Sequence, residues 1–212
     1  MGNRNLNTLR IISLFSALCF AIATINTAQA TTGTRMKSQD ESPTEIADRH
    51  YRRGLKAANK ADGYIAKAVE QSNEKKRQSL FTKSDKQLKK AIKLYRKALD
   101  YKPSMSIVHS DLGKALVKTG QFEAAIPVLD DAINAARASV QTLSFQTEAL
   151  ICIGQADQAN KVYSELMDLD SDAASEFLKY ASSVAAMNRN AGSAELQKWL
   201  AHQNMQSSAT RR

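Results

Sequence analysis

The segment TGQFEAAIPVLDDAI, from Thr119 to Ile133, has an echo thirty-four residues further on in IGQADQANKVYSEL, from Ile153 to Leu166. Gly120-Gln121 recurs as Gly154-Gln155, Ala125 as Ala159, and Leu116 as Leu150. A fixed interval of this length marks a structural unit used more than once, because a unit of such an array hides its apolar face only against its neighbour. Within the interval the period is helical. Leu112, Gly113 and Leu116 share one face of a helix that Gly120 ends, since glycine tolerates the positive φ of a helix C-terminus. Phe122, Ala125, Ile126, Leu129 and Ala132 then fall at helical spacing. Pro127 lies early in that second helix, where a missing N–H does least harm.

One interval later, Leu143, Leu150, Gly154, Ala156, Ala159, Tyr163 and Leu166 take the equivalent places. One interval earlier, AIKLYRKALDYKP puts Ala91, Tyr95 and Ala98 in register, with Pro103 as a stop. Three units follow: 72–105, 106–139 and 140–173. Only 8 Gly and 3 Pro interrupt the 212 residues, which favours helix throughout. Aromatic residues make up 6% of the chain, so alanine and aliphatic side chains must supply most of the core.

This pattern resembles the tetratricopeptide repeat family, whose unit is a helix–turn–helix of thirty-four residues with small residues at set places and a closing proline. Leu112, Gly113, Leu116, Gly120, Phe122, Ala125, Leu129 and Ala132 match that order or replace it conservatively. His109 stands for the usual aromatic and Arg137 for the closing proline, which only the 72–105 copy keeps at Pro103. In the 140–173 copy, Gln146 and Thr147 replace the Leu-Gly pair. The resemblance implies an all-α fold, a right-handed superhelical stack of helix–turn–helix repeats with capping helices. It also implies a concave groove, lined by the first helix of each unit, that takes a protein or peptide partner. The groove residues carried over are Ser110, Lys114, Val117, Gln141, Ser144, Glu148 and Ile151. One subgroup of the family clamps a peptide's terminal carboxylate with Lys and Asn. Lys114 is present here, but no Asn occupies the neighbouring groove places.

The flanks read as caps. Residues 48–71 form an N-terminal helical segment, with long runs over Ile46–Leu80 broken near Asp62-Gly63. The first helix of the 72–105 unit is degenerate, because NEKKRQ supplies few core residues; an insertion or one long helix accounts for it. Residues 174–205 supply C-terminal capping helices. Phe177, Leu178, Ala181 and Val184 lie on one apolar side, NRNAG makes a break, and Trp199 forms a lid. Residues 206–212 read as a disordered tail.

Residues 1–30 read as a signal peptide. Arg4 and Arg10 precede an uncharged stretch from Ile11 to Ala30, and Ala28-Gln29-Ala30 offers small residues where a signal peptidase cuts. An uncleaved anchor is the alternative, since about 20 uncharged residues just span a bilayer. Leu18 before Cys19 does not fit a lipoprotein signal. Residues 31–47, with TTGTRMKSQDESPTE, lack helical periodicity and read as a disordered linker, with Ser42 or Thr44 as the cap of a helix starting near Ile46. After cleavage Cys152 is the remaining cysteine, so packing rather than an internal disulfide must hold the fold. The expected location is the bacterial periplasm, with no membrane span after cleavage.

Charge is unevenly spread. Residues 49–102 hold 17 Lys/Arg and 5 Asp/Glu, whereas residues 103–212 are net acidic. The block that contains Lys86, Lys89, Lys93 and Lys97 is either a solvated helix face or a surface for anionic partners. Nucleic acid fits poorly, because the block carries no aromatic stacking series. His50, His109 and His202 share no metal-ligand spacing, and no phosphate loop or nucleophile elbow occurs. Asp168, Asp170 and Asp172 resemble the start of a calcium loop, but Ala173 and Lys179 stand where that loop needs Gly and Glu. The reading is therefore a non-enzymatic scaffold without cofactor or metal that binds a protein or peptide in its groove. Its rivals are an accessory envelope protein that uses the basic face, and a module that only packs into an envelope assembly.

Overall fold

The computed structural model describes residues 41–136, 138–187 and 192–209. Among the described residues eight helices run in order: α1 (Pro43–Glu70), α2 (Glu74–Tyr101), α3 (Ser106–Lys118), α4 (Phe122–Ala135), α5 (Val140–Cys152), α6 (Ala156–Leu169), α7 (Ser171–Met187) and α8 (Ser193–Ala209). Among the described residues there is no strand, and the chain is an all-α stack of helical repeats. The signal and anchor readings, most of the linker, and Arg137 lie outside the described residues.

α1 starts earlier than the linker reading placed it. Glu45 N–H donates to Ser42 Oγ at 3.3 Å, and Ser42 N–H donates to the Glu45 carboxylate at 2.8 Å. With Pro43 at the first helical position, these three residues form a reciprocal cap inside what reads as linker. The helix then passes through Asp62-Gly63 without a break. Local propensity is overridden by packing: Ala57, Ala61 and Ala68 are buried on one side of α1, and α1 lies along α2.

The 72–105 interval is not a helix–turn–helix. Its place is taken by the single long helix α2, whose pairing partner is α1. The hairpin is longer than the units that follow. α3 ends beside α1 at the Lys118–Asp62 pair, and α1 runs eight residues further, so the hairpin overhangs the stack by about 12 Å. Pro103 lies beyond the end of α2, and the His109 ring bonds its carbonyl oxygen through Nε2 at 2.7 Å.

The other two units close as the repeat demands. Gly120 has φ 75° and Gly154 φ 79°. Gly120 N–H donates to Val117 O and Gln121 N–H to Leu116 O, both at 2.9 Å; Gly154 and Gln155 repeat both bonds to Ile151 and Leu150. This double bond turns the chain sharply and satisfies carbonyls that the helix end leaves open. Ala125 and Ala159 are fully buried where the paired helices approach. Where the Leu-Gly pair is lost, polar groups are satisfied locally. Thr147 Oγ1 donates to Leu143 O at 2.8 Å, and Gln146 Nε2 donates to Asp130 Oδ1 at 2.5 Å.

α7 and α8 seal the far end. Trp199 is 5% exposed, with ring centroids 5.4 Å from Tyr163 and 6.3 Å from Phe177, and its indole N–H donates to Asn160 Oδ1 at 2.9 Å. Ile126 and Tyr180 touch both halves of the core and join them into one. α8 runs to Ala209, past the helix end at 205 and into the segment read as a tail, so that reading is corrected up to residue 209.

Candidate interaction surfaces

The seven groove residues divide by accessibility. Ser110, Lys114 and Gln141 are half-buried. Val117 is 0% exposed, Ser144 7%, Glu148 2% and Ile151 2%. A partner resting on the stack does not reach the last four, so direct contact by them is corrected. Val117 packs within the core shared by α1–α5, and Ile151 within the core built by α5–α8. Every residue of α5 from Thr142 to Ile151 is buried: the helix packs against α3, α4 and α6, and α7 and α8 also fold against it.

In place of an open groove, side chains from four helices meet. Lys118 Nζ of α3 donates to Asp62 Oδ1 of α1 at 2.5 Å. Burial lowers the Lys118 pKa, and Asp62 opposes that shift. On α5, burial raises the Glu148 carboxyl to about 7, against the pull of Lys118 and a hydrogen bond from Tyr180 of α7. Glu148 Oε2 has no hydrogen-bond partner among the described residues. The Tyr180 hydroxyl is raised well above its ordinary value, by burial first and then by the Glu148 charge. One turn along α5, burial and Glu148 push the Cys152 thiol up to about 12, which makes it a poor nucleophile at neutral pH.

The inner side is open near the hairpin. A cleft there is lined by Asn59, Asp62, Tyr95, Asp111, Lys114 and Lys118, among others. Tyr51 donates to Asp111 at 3.1 Å, burial raises the Asp111 carboxyl, and Lys114 Nζ stands 5.8 Å over the Phe145 ring. Lys118 and Tyr180 were not singled out in the sequence, and Asp62 only as part of a helix break. Each lies on a helix that shows an apolar period, and an isolated polar group there reads as solvent-facing.

The outer side is different. Lys86, Lys89, Lys93 and Lys97 are all exposed on α2, together with Lys75, Lys76, Lys83, Lys90 and Arg96. α2 carries 10 Lys/Arg and 3 Asp/Glu. Its basic stripe from Lys75 to Lys97 is about 33 Å long. Within α2, Arg77 pairs with Glu74.

The other candidate groups find structural uses. Asp170 Oδ1 accepts from Ala173 N–H at 2.9 Å and so caps α7. His50 stacks on Tyr101 with ring centroids 6.0 Å apart. Among the described residues no three His, Cys, Asp or Glu side chains gather at one point, and no helix is long and apolar enough to cross a membrane.

Paired antiparallel helices, glycine-closed turns and a shared core define a helical-repeat interaction module. Residues 84–144, from within α2 to the start of α5, match the family model Tetratricopeptide repeat, which supports a tetratricopeptide-type repeat for that part of the chain. No curated protein and no solved structure matches the chain significantly. The family is typically non-catalytic and takes protein partners, and the chain is a protein–protein interaction module in that general sense.

Proposed function

We propose that the protein is an exported module that captures an acidic protein partner on the basic outer face of its α1–α2 hairpin, as part of an envelope assembly. The observation that carries this reading is the exposed stripe on α2, where nine basic side chains project from one helix that holds only three acids. Like charges held this close raise the local potential and draw an acidic surface from a distance. All nine of these side chains are exposed, so the stripe is accessible along its length. Export is supported by the uncharged stretch from Ile11 to Ala30 and the Ala28-Gln29-Ala30 site.

The test is capture from an envelope fraction with the mature chain as bait. Reversal of Lys86, Lys89, Lys93 and Lys97 to Glu is expected to abolish capture, and added salt is expected to weaken it steeply, since exposed charges are screened within about 10 Å at 0.1 M. Capture that survives both changes refutes the outer-face reading. A second reading, an extended peptide on the inner side, is favoured by the cleft beside Lys114, where the buried Tyr95 hydroxyl has no partner among the described residues. Loss of capture with Lys114→Ala, and not with the α2 reversals, selects it.

A further inference from the structure

We propose that Asp62, Lys118, Glu148 and Tyr180 form a pH-sensitive clasp that holds α7 and α8 over the inner face of α5 and opens as the pH rises from the acid side to neutrality. This goes beyond the outer-face reading and does not depend on it. Each clasp residue comes from a different helix, α1, α3, α5 and α7 in turn, so the four link both ends of the stack across its inner side. The weak member is Glu148. It is 2% exposed, and one carboxylate oxygen is buried without a partner. A neutral acid tolerates that position, but a carboxylate there is a poorly compensated buried charge.

The charged and titratable groups around it are few. α3 brings Lys118 beside it and Lys114 over Phe145, α7 brings Tyr180, and Cys152 lies one turn along α5. From α4, Asp130 is taken by Gln146. On α6, Asp157, Lys161, Glu165 and Asp168 are exposed, and Tyr163 packs on Phe177 and Trp199. On α8, Glu195 pairs with Lys198 at 2.7 Å, and His202 is exposed. Lys118 is therefore the main attraction for the carboxylate, and Asp62 already shares it.

The direction follows from proton linkage. Closed, the Glu148 carboxyl titrates at about 7; open to water, it returns towards 4.5. The closed form thus holds a proton that the open form releases, so opening grows more favourable from pH 4.5 to about 7 and levels off above. Across that window the open-to-closed ratio rises by up to about 300-fold if opening fully solvates the carboxyl. Opening bares Ser144, Glu148 and Ile151, which line the inner face by repeat position.

Hydrogen exchange on the full chain tests the clasp, with rates corrected for the intrinsic pH dependence of exchange. Protection of residues 141–151 is expected to fall as the pH rises from 5 to 8 (roughly the window set by Glu148), while α1 and α2 stay protected. Glu148→Gln, neutral at every pH and similar in volume, is expected to remove that pH step and keep the helical signal. A native chain with flat protection, a Glu148→Gln variant that keeps the step, or equal loss of protection in α1 and α2 each overturns the clasp.

Discussion

Of the glycines within helices of this stack, Gly63 and Gly113 lie in opposite surroundings, and their replacement by alanine separates packing from propensity. A Cβ built on Gly63 of α1 meets nothing within 4 Å. One built on Gly113 of α3 falls 2.4 Å from Leu129 Cδ2 and 2.5 Å from its Cγ. Leu129 is 0% exposed, so its side chain has little room to retreat. Both substitutions gain the same intrinsic term, about 1 kcal/mol for alanine over glycine in a helix interior. Gly63→Ala should therefore stabilise by about 0.5–1 kcal/mol. Gly113→Ala adds an overpacking cost of about 1–3 kcal/mol against that gain, for a net loss of up to about 2 kcal/mol. Urea unfolding followed by circular dichroism measures both, with opposite shifts of the midpoint and an unchanged slope. In a Leu129→Ala background the overlap is gone, and Gly113→Ala should turn stabilising; that coupling is what contact demands. If Gly113→Ala stabilises the native chain as much as Gly63→Ala does, α3 and α4 do not pack as described.

Gly120→Ala and Gly154→Ala should each cost about 1–2 kcal/mol, since both positions hold positive φ. The cost should persist at Gly154, where no neighbour lies within 4 Å, because the strain there is in the backbone alone. N-terminal sequencing of protein recovered from its host should find Thr31 first; an intact Met1 on membrane-bound protein contradicts cleavage after Ala30.

Much of this architecture was legible because the repeat encodes contacts within each unit. Leu112, Leu116, Ala125 and Leu129 meet their partners within one helix–turn–helix, so their spacing suffices to place them on buried faces. The Gly-Gln pairs carry their own hydrogen bonds and need no distant partner. The α1–α2 hairpin is another matter. Asp62-Gly63 reads as a break when propensity alone is weighed, and what keeps α1 continuous is packing on α2, a helix with a weak period at its start. Ser42 was legible as a cap, but Pro43, Thr44 and Glu45 sit in a polar stretch, where composition outweighed the motif and put the helix start near Ile46.

The groove was hidden for a reason that α5 makes plain. A helix buried on every side is expected to be apolar all round. α5 instead carries Thr142, Ser144, Gln146, Thr147 and Glu148 among its buried residues, so its sequence looks like that of a helix with one face in water. Most of those polar groups are satisfied at short range. Ser144 and Thr147 donate to carbonyls four residues back, Gln146 donates to Asp130, and Thr142 Oγ1 lies 2.9 Å from Ser110 Oγ and 2.8 Å from Ser139 Oγ. Glu148 alone of these has an oxygen left over. A helix evolved only to be buried has no use for that carboxylate, because an apolar residue of similar volume would pack there at lower cost. Its presence is accounted for if the burial is conditional. The polar residues of α5 then serve two states: hydrogen-bonded within the closed stack, and solvated once α7 and α8 lift away.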